Sequence, residues 1–255
     1  MHAMTEANLQ TPSSAVKPNP PRIEEWTEKY RRLATTGRGL MAPTETLVRM
    51  FKGPYIADMP KSFAGLRALD VGFGNGNNSL WLCALGLDVY GVEIGQGIVD
   101  DFRKRLDSAG YKATLAVGSN LKLPFESDFF DFLISWNVLH YENTEATILA
   151  GIAEYARVLK PGGRLFLSTT GPEHKILTGA KTVGAHLYEI GRDDDFRKGE
   201  RFFYFDAPNY IHFYFGPLFA DVMVGRTHDY LFTETLDWWL VTGRKRADGE
   251  ARIVT

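Results

Sequence analysis

The chain has 255 residues, 29 Lys and Arg against 31 Asp and Glu, and a formal net charge of −2; 44% apolar and 24% charged content suits a globular chain with one sizeable core. The near-neutral balance gives no electrostatic footprint for duplex nucleic acid, and no apolar run is long enough for a membrane span. The single cysteine, Cys83, excludes an internal disulfide and a thiolate metal cluster.

Residues 1–22 are polar, Pro-rich and aperiodic, and read as a disordered tail. They lack the basic start and apolar stretch of a secretory signal, so the cytoplasm is the expected compartment. Residues 23–33 (IEEWTEKYRRL) suit an amphipathic helix, a loop with Gly37 and Gly39 follows, and Pro43-Thr44-Glu45 opens a second helix. Strands are then expected at 66–71, 88–92, 113–117, 130–135 and 164–169. Helices alternate with them at 78–85, 98–110 and 146–159, the last closed by Lys160-Pro161-Gly162-Gly163. This rhythm predicts an α/β fold with a parallel, doubly wound sheet. Residues 171–201 lose the rhythm and read as an insertion over the ligand edge. The aromatic run 202–219 reads as one helix packed on the sheet, with Pro208 near its start. Two late strands near 221–225 and 237–242 are too close for a helix between them and should pair antiparallel. The expected organisation is a tail (1–22) and a single domain (23–255). Within the domain fall lid helices (23–60), a cofactor-binding half (61–170), an insertion or substrate lid (171–201) and a sheet-completing segment (202–255).

The strongest local signal is Leu69-Asp70-Val71-Gly72-Phe73-Gly74-Asn75-Gly76, a strand that runs into a glycine turn and then a helix. Glycines there let the backbone turn tightly and approach a ligand, and the helix start offers free N–H groups. Glu93 ends the next strand, beside the same crevice. A dinucleotide site wants Gly-x-Gly-x-x-Gly. Here Gly76 comes one position early and Asn77 takes the expected place, so a nucleoside without phosphate fits better. Glu93 can accept both ribose hydroxyl protons.

These motifs, with VEIG (92–95), LPFESDFFDFLISWNVLHY (123–141) and RVLKPGGRLFLST (157–169), resemble the class I S-adenosylmethionine-dependent methyltransferases. The resemblance implies a Rossmann-like, seven-stranded mixed sheet whose last strand is antiparallel. It also implies S-adenosylmethionine as cofactor and S-adenosylhomocysteine as product. Carried over by position, the cofactor residues would be Asp70, Gly72, Phe73, Gly74, Asn75, Gly76, Glu93, Ile94, Ser119, Asn120, Leu121, Trp136 and Asn137. Ser119 stands where the family usually has an aspartate beside the adenine amino group.

Methyl transfer from a sulfonium is an in-line displacement. Good positioning lowers such a barrier by ~7–11 kcal/mol, while a general base adds about 3–5 kcal/mol. His140, just past the fourth strand, is the candidate base. Tyr30, His140, Tyr141, Phe203, Tyr204, Tyr210 and Tyr214 are candidates to line an apolar acceptor pocket. The Asn/Asp-Pro-Pro-aromatic motif of DNA amino-methyltransferases is missing after the fourth strand, where Ser135-Trp136-Asn137-Val138 stands. His140, His174, His186, His212 and His228 show no metal-ligand spacing, so no metal is expected. Asp193-Asp194-Asp195 reads as a solvated charged loop, and Cys83 as a core residue. The expected activity is methyl transfer to O or N of a small-molecule acceptor, with no nucleic-acid or membrane partner, by a monomer or homodimer. A non-catalytic S-adenosylmethionine-binding regulatory or assembly protein is the alternative from another class, and a nicotinamide dehydrogenase the third.

Overall fold

A computed structural model describes residues 22–35 and 42–247; the expected tail up to residue 21 and the Gly37/Gly39 loop lie outside the described residues. Ten strands and six α-helices are described. They are α1 Ile23–Thr35, α2 Glu45–Lys52, β1 Arg67–Val71, α3 Asn77–Ala84, β2 Asp88–Glu93, α4 Gln96–Ala109, β3 Thr114–Val117, β4 Phe130–Trp136, α5 Glu145–Val158, β5 Leu159–Thr170, β6 Lys181–Gly184, β7 Leu187–Glu189, β8 Arg201–Phe203, α6 Pro208–Phe215, β9 Phe219–Leu231 and β10 Glu234–Lys245. Seven strands form one sheet in the order β3-β2-β1-β4-β5-β10-β9. β1 to β5 run parallel, and β10 is antiparallel to both of its neighbours. This is the Rossmann-like mixed sheet expected from the sequence. No helix among the described residues is long and apolar enough to cross a membrane.

The two faces of the sheet follow from the period of two along a strand. Leu69, Val71, Val92, Leu133, Leu165 and Leu167 point to the layer of α5 and α6. Ala68, Val89, Phe132, Ile134 and Phe166 point to the layer of α2, α3 and α4. Both faces are covered, which is why the inner strands read as continuous apolar runs. Cys83 is in the second layer, 8% exposed, and burial lifts its thiol to about 11.

The helix starts obey local chemistry. Thr144 caps α5 by a reciprocal bond with Thr147, its hydroxyl accepting from the Thr147 N–H at 3.1 Å. Pro208 begins α6, where a missing N–H costs nothing. Gly76 at the N-cap of α3 has φ +77°, and a Cβ there would lie 1.9 Å from the Phe102 ring.

Three sequence expectations are corrected. The insertion is not irregular throughout: β6, β7 and β8 form a separate three-stranded antiparallel sheet, and β8 runs across the expected boundary at 201/202. The aromatic run is helical only over Pro208–Phe215. Phe202 and Phe203 belong to β8 and enter different apolar clusters, as alternation in a strand requires. The late strands extend well beyond the expected limits because the outer hairpin is solvent-facing and carries no apolar period; Tyr230, Leu231 and Phe232 are exposed there.

Gly76→Ala should lose about 2–4 kcal/mol, combining a left-handed backbone with overpacking against Phe102. Urea unfolding measures it; a loss within a few tenths of a kcal/mol would show that the ring moves aside freely.

Candidate functional site

The carboxyl ends of β1 to β4 meet at one edge and enclose a cavity of about 500 Å³. Its floor comes from Val71 and Gly72 after β1, Glu93 and Ile94 after β2, Gly118 to Leu121 after β3, and Asn137 and Val138 after β4. Tyr141 and Asn143 form one wall, and Arg22, Trp26 and Tyr30 close the roof with Glu200 and Arg201 of the insertion.

Glu93 is the charged centre of the floor. Its Oε1 accepts the Gly74 N–H at 3.0 Å and its Oε2 accepts the Ile94 N–H at 2.8 Å. Burial pushes its carboxyl above the ordinary range, and these two backbone donors oppose that shift. A carboxylate has about four acceptor positions, so roughly two stay open toward the cavity.

The roof is a joint construction. Arg22 pairs with Glu200 at 3.0 Å and donates to the Phe196 carbonyl at 2.8 Å. Trp26 meets Tyr30, Tyr141 and Phe196 at centroid distances of 6.0, 5.4 and 5.1 Å. The Lys29 ammonium is 4.3 Å above the Trp26 ring. Burial first, and Arg197 next, lower Lys29 to about 8. Tyr30 presses on the glycine turn: a Cβ on Gly74, at φ +56°, would be 2.7 Å from its hydroxyl. Only glycine there lets α1 come down this far.

The acidic run is not uniformly solvated. Asp193 and Asp194 are exposed and pair with Lys198 and Arg192. Asp195 has a side chain only 12% exposed and grips Arg197 through its Nε, Nη2 and backbone N–H. Arg197 in turn donates to the Tyr141 hydroxyl.

Of the sequence candidates, Gly72, Glu93, Ile94, Ser119, Asn120, Leu121, Asn137, Tyr30 and Tyr141 line the cavity. Asp70, Phe73, Gly74, Asn75, Gly76 and Trp136 are outside the lining. Asp70 faces α3, is fully buried, accepts from the Ser79 hydroxyl at 2.6 Å, and is raised to about 7, first by burial. Phe203, Tyr204, Tyr210 and Tyr214 also lie elsewhere; Phe203 and Tyr214 belong to the core layer of α5 and α6. His140 is 1% exposed and does not line the cavity. Burial, then His174 and Arg197, hold it well below the ordinary histidine value, so it is neutral at physiological pH and a weak proton acceptor.

The lining residues Arg22, Trp26, Glu142, Asn143, Thr147, Glu200 and Arg201 were not legible in advance. Trp26, on the apolar side of an amphipathic helix, carried the one usable signal. Asn120 could have been read as more than a floor residue: its Nδ2 donates to Glu142 at 3.1 Å and its Oδ1 accepts from Tyr155, whose hydroxyl also meets Ser135 at 2.9 Å. Strand pairing also assembles a cluster that spacing hid. Asp237 and His228 are register partners, and Glu173 joins them within 4.8 Å. Arg226 bonds both carboxylates and offsets one of their two charges.

The family model described as a methyltransferase domain matches residues 68–163. The biotin biosynthesis bifunctional protein BioHC of Cellvibrio japonicus (strain Ueda107) is 35% identical over 114 residues, 45% of this chain and 22% of that protein. A tRNA (carboxymethyluridine(34)-5-O)-methyltransferase of Arabidopsis thaliana is 32% identical over 136 residues, 53% of this chain and 32% of that protein. The chain spans less than half the length of the curated relatives it matches. The crystal structure of Burkholderia thailandensis 1,6-didemethyltoxoflavin-N1-methyltransferase with bound 1,6-didemethyltoxoflavin and S-adenosylhomocysteine has the same fold. Its TM-score is 0.58 at 16% identity, over 91% of this chain and 94% of that one.

His174 is lowered to about 4, first by burial and then by Arg197. The unfolded chain therefore binds protons at His140 and His174 more readily than the folded one. Their contribution to stability is complete above the ordinary value of 6.5 and is lost as pH falls toward about 4. Urea midpoints measured across that window should decline, and changing both histidines to Asn should flatten the decline.

Proposed function

The chain belongs to the class I S-adenosylmethionine-dependent methyltransferase family, and on that premise we propose that it transfers a methyl group to an oxygen or nitrogen of a small molecule. The observation that carries this reading is Glu93: a buried carboxylate, held by two backbone donors, with acceptor positions left toward a roofed cavity. The residues fit the cofactor. Glu93 can accept from both ribose hydroxyls, and a side chain on Gly72 would meet Val138 at 2.5 Å, so that turn admits only bare backbone. Ile94, Ser119, Asn120 and Leu121 stand where a base would lie, at the cavity end built by β2 and β3. When bound, S-adenosylmethionine supplies a methyl group on an activated leaving group.

The protein's task is then alignment and exclusion of water. Asn137, at φ +61°, is fixed by an N–H bond to Ser168 Oγ at 3.0 Å and lines the cavity after β4. Trp26 and Tyr30 shield the cavity from above. A neutral, buried His140 is suited to orienting a partner by hydrogen bonding and poorly suited to carrying away a proton at pH 7. Positioning at ~7–11 kcal/mol outweighs the general-base contribution of about 3–5 kcal/mol, so activity does not require that proton transfer.

Similarity to a tRNA methyltransferase favours a second reading, an RNA acceptor. A net charge of −2 over the whole chain opposes it, since RNA binding rests on a basic surface. Incubation with labelled cofactor, a metabolite panel and total tRNA separates the two. Label is expected in a metabolite, and label in tRNA alone would overturn the small-molecule reading.

Glu93→Ala and Glu93→Gln should weaken S-adenosylhomocysteine binding by about 1.5–3 kcal/mol in calorimetry, roughly 10- to 150-fold. Unchanged affinity would remove Glu93 from the ribose site.

A further inference from the structure

Most buried polar groups in a folded protein find partners, so a local concentration of exceptions calls for a ligand. Such a concentration stands at the carboxyl ends of β4 and β5, beside the start of the antiparallel β10. His140 Nδ1, Asn143 Oδ1, Thr169 Oγ1, Thr170 Oγ1 and His174 Nε2 are buried with no hydrogen-bond partner among the described residues. Three of these residues gather at Trp238. Thr170 is its register partner across β5 and β10, and the rings of His174 and His140 lie 4.2 and 6.1 Å from its ring. Tyr141, which lines the cavity, has its ring 4.3 Å from that of His140, tilted at 45°, and so connects this corner to the site.

The chemistry of His174 is determined by its own backbone. Its Nδ1 accepts the Ile176 N–H at 3.0 Å. In a neutral imidazole that puts the proton on Nε2, which becomes a buried donor with nothing to receive it. His140 Nδ1 and the Thr170 hydroxyl, whose residues adjoin the same Trp238, supply acceptor capacity in this corner. One hydroxyl group can answer both needs, because it accepts and donates at once. A fixed anion has less to gain. Arg197, the cation that bears on both histidines, is already held by Asp195 and by Tyr141.

We propose that this corner anchors the methyl acceptor: an uncharged aromatic ring packs against Trp238, and its hydroxyl accepts from His174 Nε2–H while donating to His140 or Thr170. The proposal rests on the methyl-transfer reading above, and it makes His174 a specificity-determining residue for that reaction.

The test uses the full chain loaded with S-adenosylhomocysteine, titrated with 2-naphthol, naphthalene and benzoate by ligand-detected magnetic resonance. 2-Naphthol is expected to bind roughly tenfold more tightly than the other two, the worth of one well-made hydrogen bond. His174→Asn keeps an acceptor for the Ile176 N–H and removes the far donor. It should weaken 2-naphthol severalfold while leaving the melting temperature and S-adenosylhomocysteine affinity unchanged. Thr170→Val removes a hydroxyl that has no partner in the free protein. It should also weaken 2-naphthol without lowering stability, so the proposal does not hang on one variant folding well. Equal 2-naphthol binding by both variants and wild type, a preference for benzoate, or no 2-naphthol binding in the loaded chain would overturn it. Failure of S-adenosylhomocysteine itself to bind would instead overturn the methyl-transfer reading.

Discussion

A buried carboxylate at the end of β2 organises this protein. An ionised side chain removed from water is costly unless donors surround it. Glu93 finds its donors in the backbone of the two turns that flank it, from Gly74 and Ile94. Those bonds require the glycine turn after β1 to fold back against β2. They require Gly74 to stay without a side chain, since Tyr30 occupies the space above it. The glycine turn and the first helix therefore meet around this one carboxyl group.

The second organising feature is that the roof has two authors. Trp26 from α1 and Phe196 from the insertion pack edge to face, and Arg22 reaches from the start of α1 to Glu200. Exposed ion pairs contribute little by themselves. The edge-to-face ring contact adds to that pair and joins the same two elements. Arg197 extends this arrangement inward, joining Asp195 to Tyr141 at the cavity wall. The roof over the cavity therefore depends on contacts between segments far apart in the chain.

How much was legible follows from that distance. The β1 turn, Glu93, the segment after β3 and Asn137 belong to short strand-to-helix units, and their apolar runs and glycines announce them locally. The roof could not be read this way, because Arg22 and Glu200 are brought together only by the finished fold. His140 was legible as a residue near the end of β4 but not as a buried, neutral one, since its surroundings come from β5, β10 and the insertion. Phe203 and Tyr214 looked like pocket aromatics because composition cannot separate a core ring from a lining ring. The Glu173, His228 and Asp237 cluster shows the reverse case: residues with no meaningful spacing become neighbours through the register of β9 on β10 and the turn after β5.

The solitary cysteine gives the protein a practical property. Cys83 is buried behind the glycine turn, and its thiol stays protonated across the physiological range. Thiol-directed reagents therefore find no ready target in the native chain. A cysteine introduced on the side of α1 that meets the insertion would be the one thiol whose exposure depends on the roof. Its labelling kinetics, with and without ligand, would report how often that contact parts.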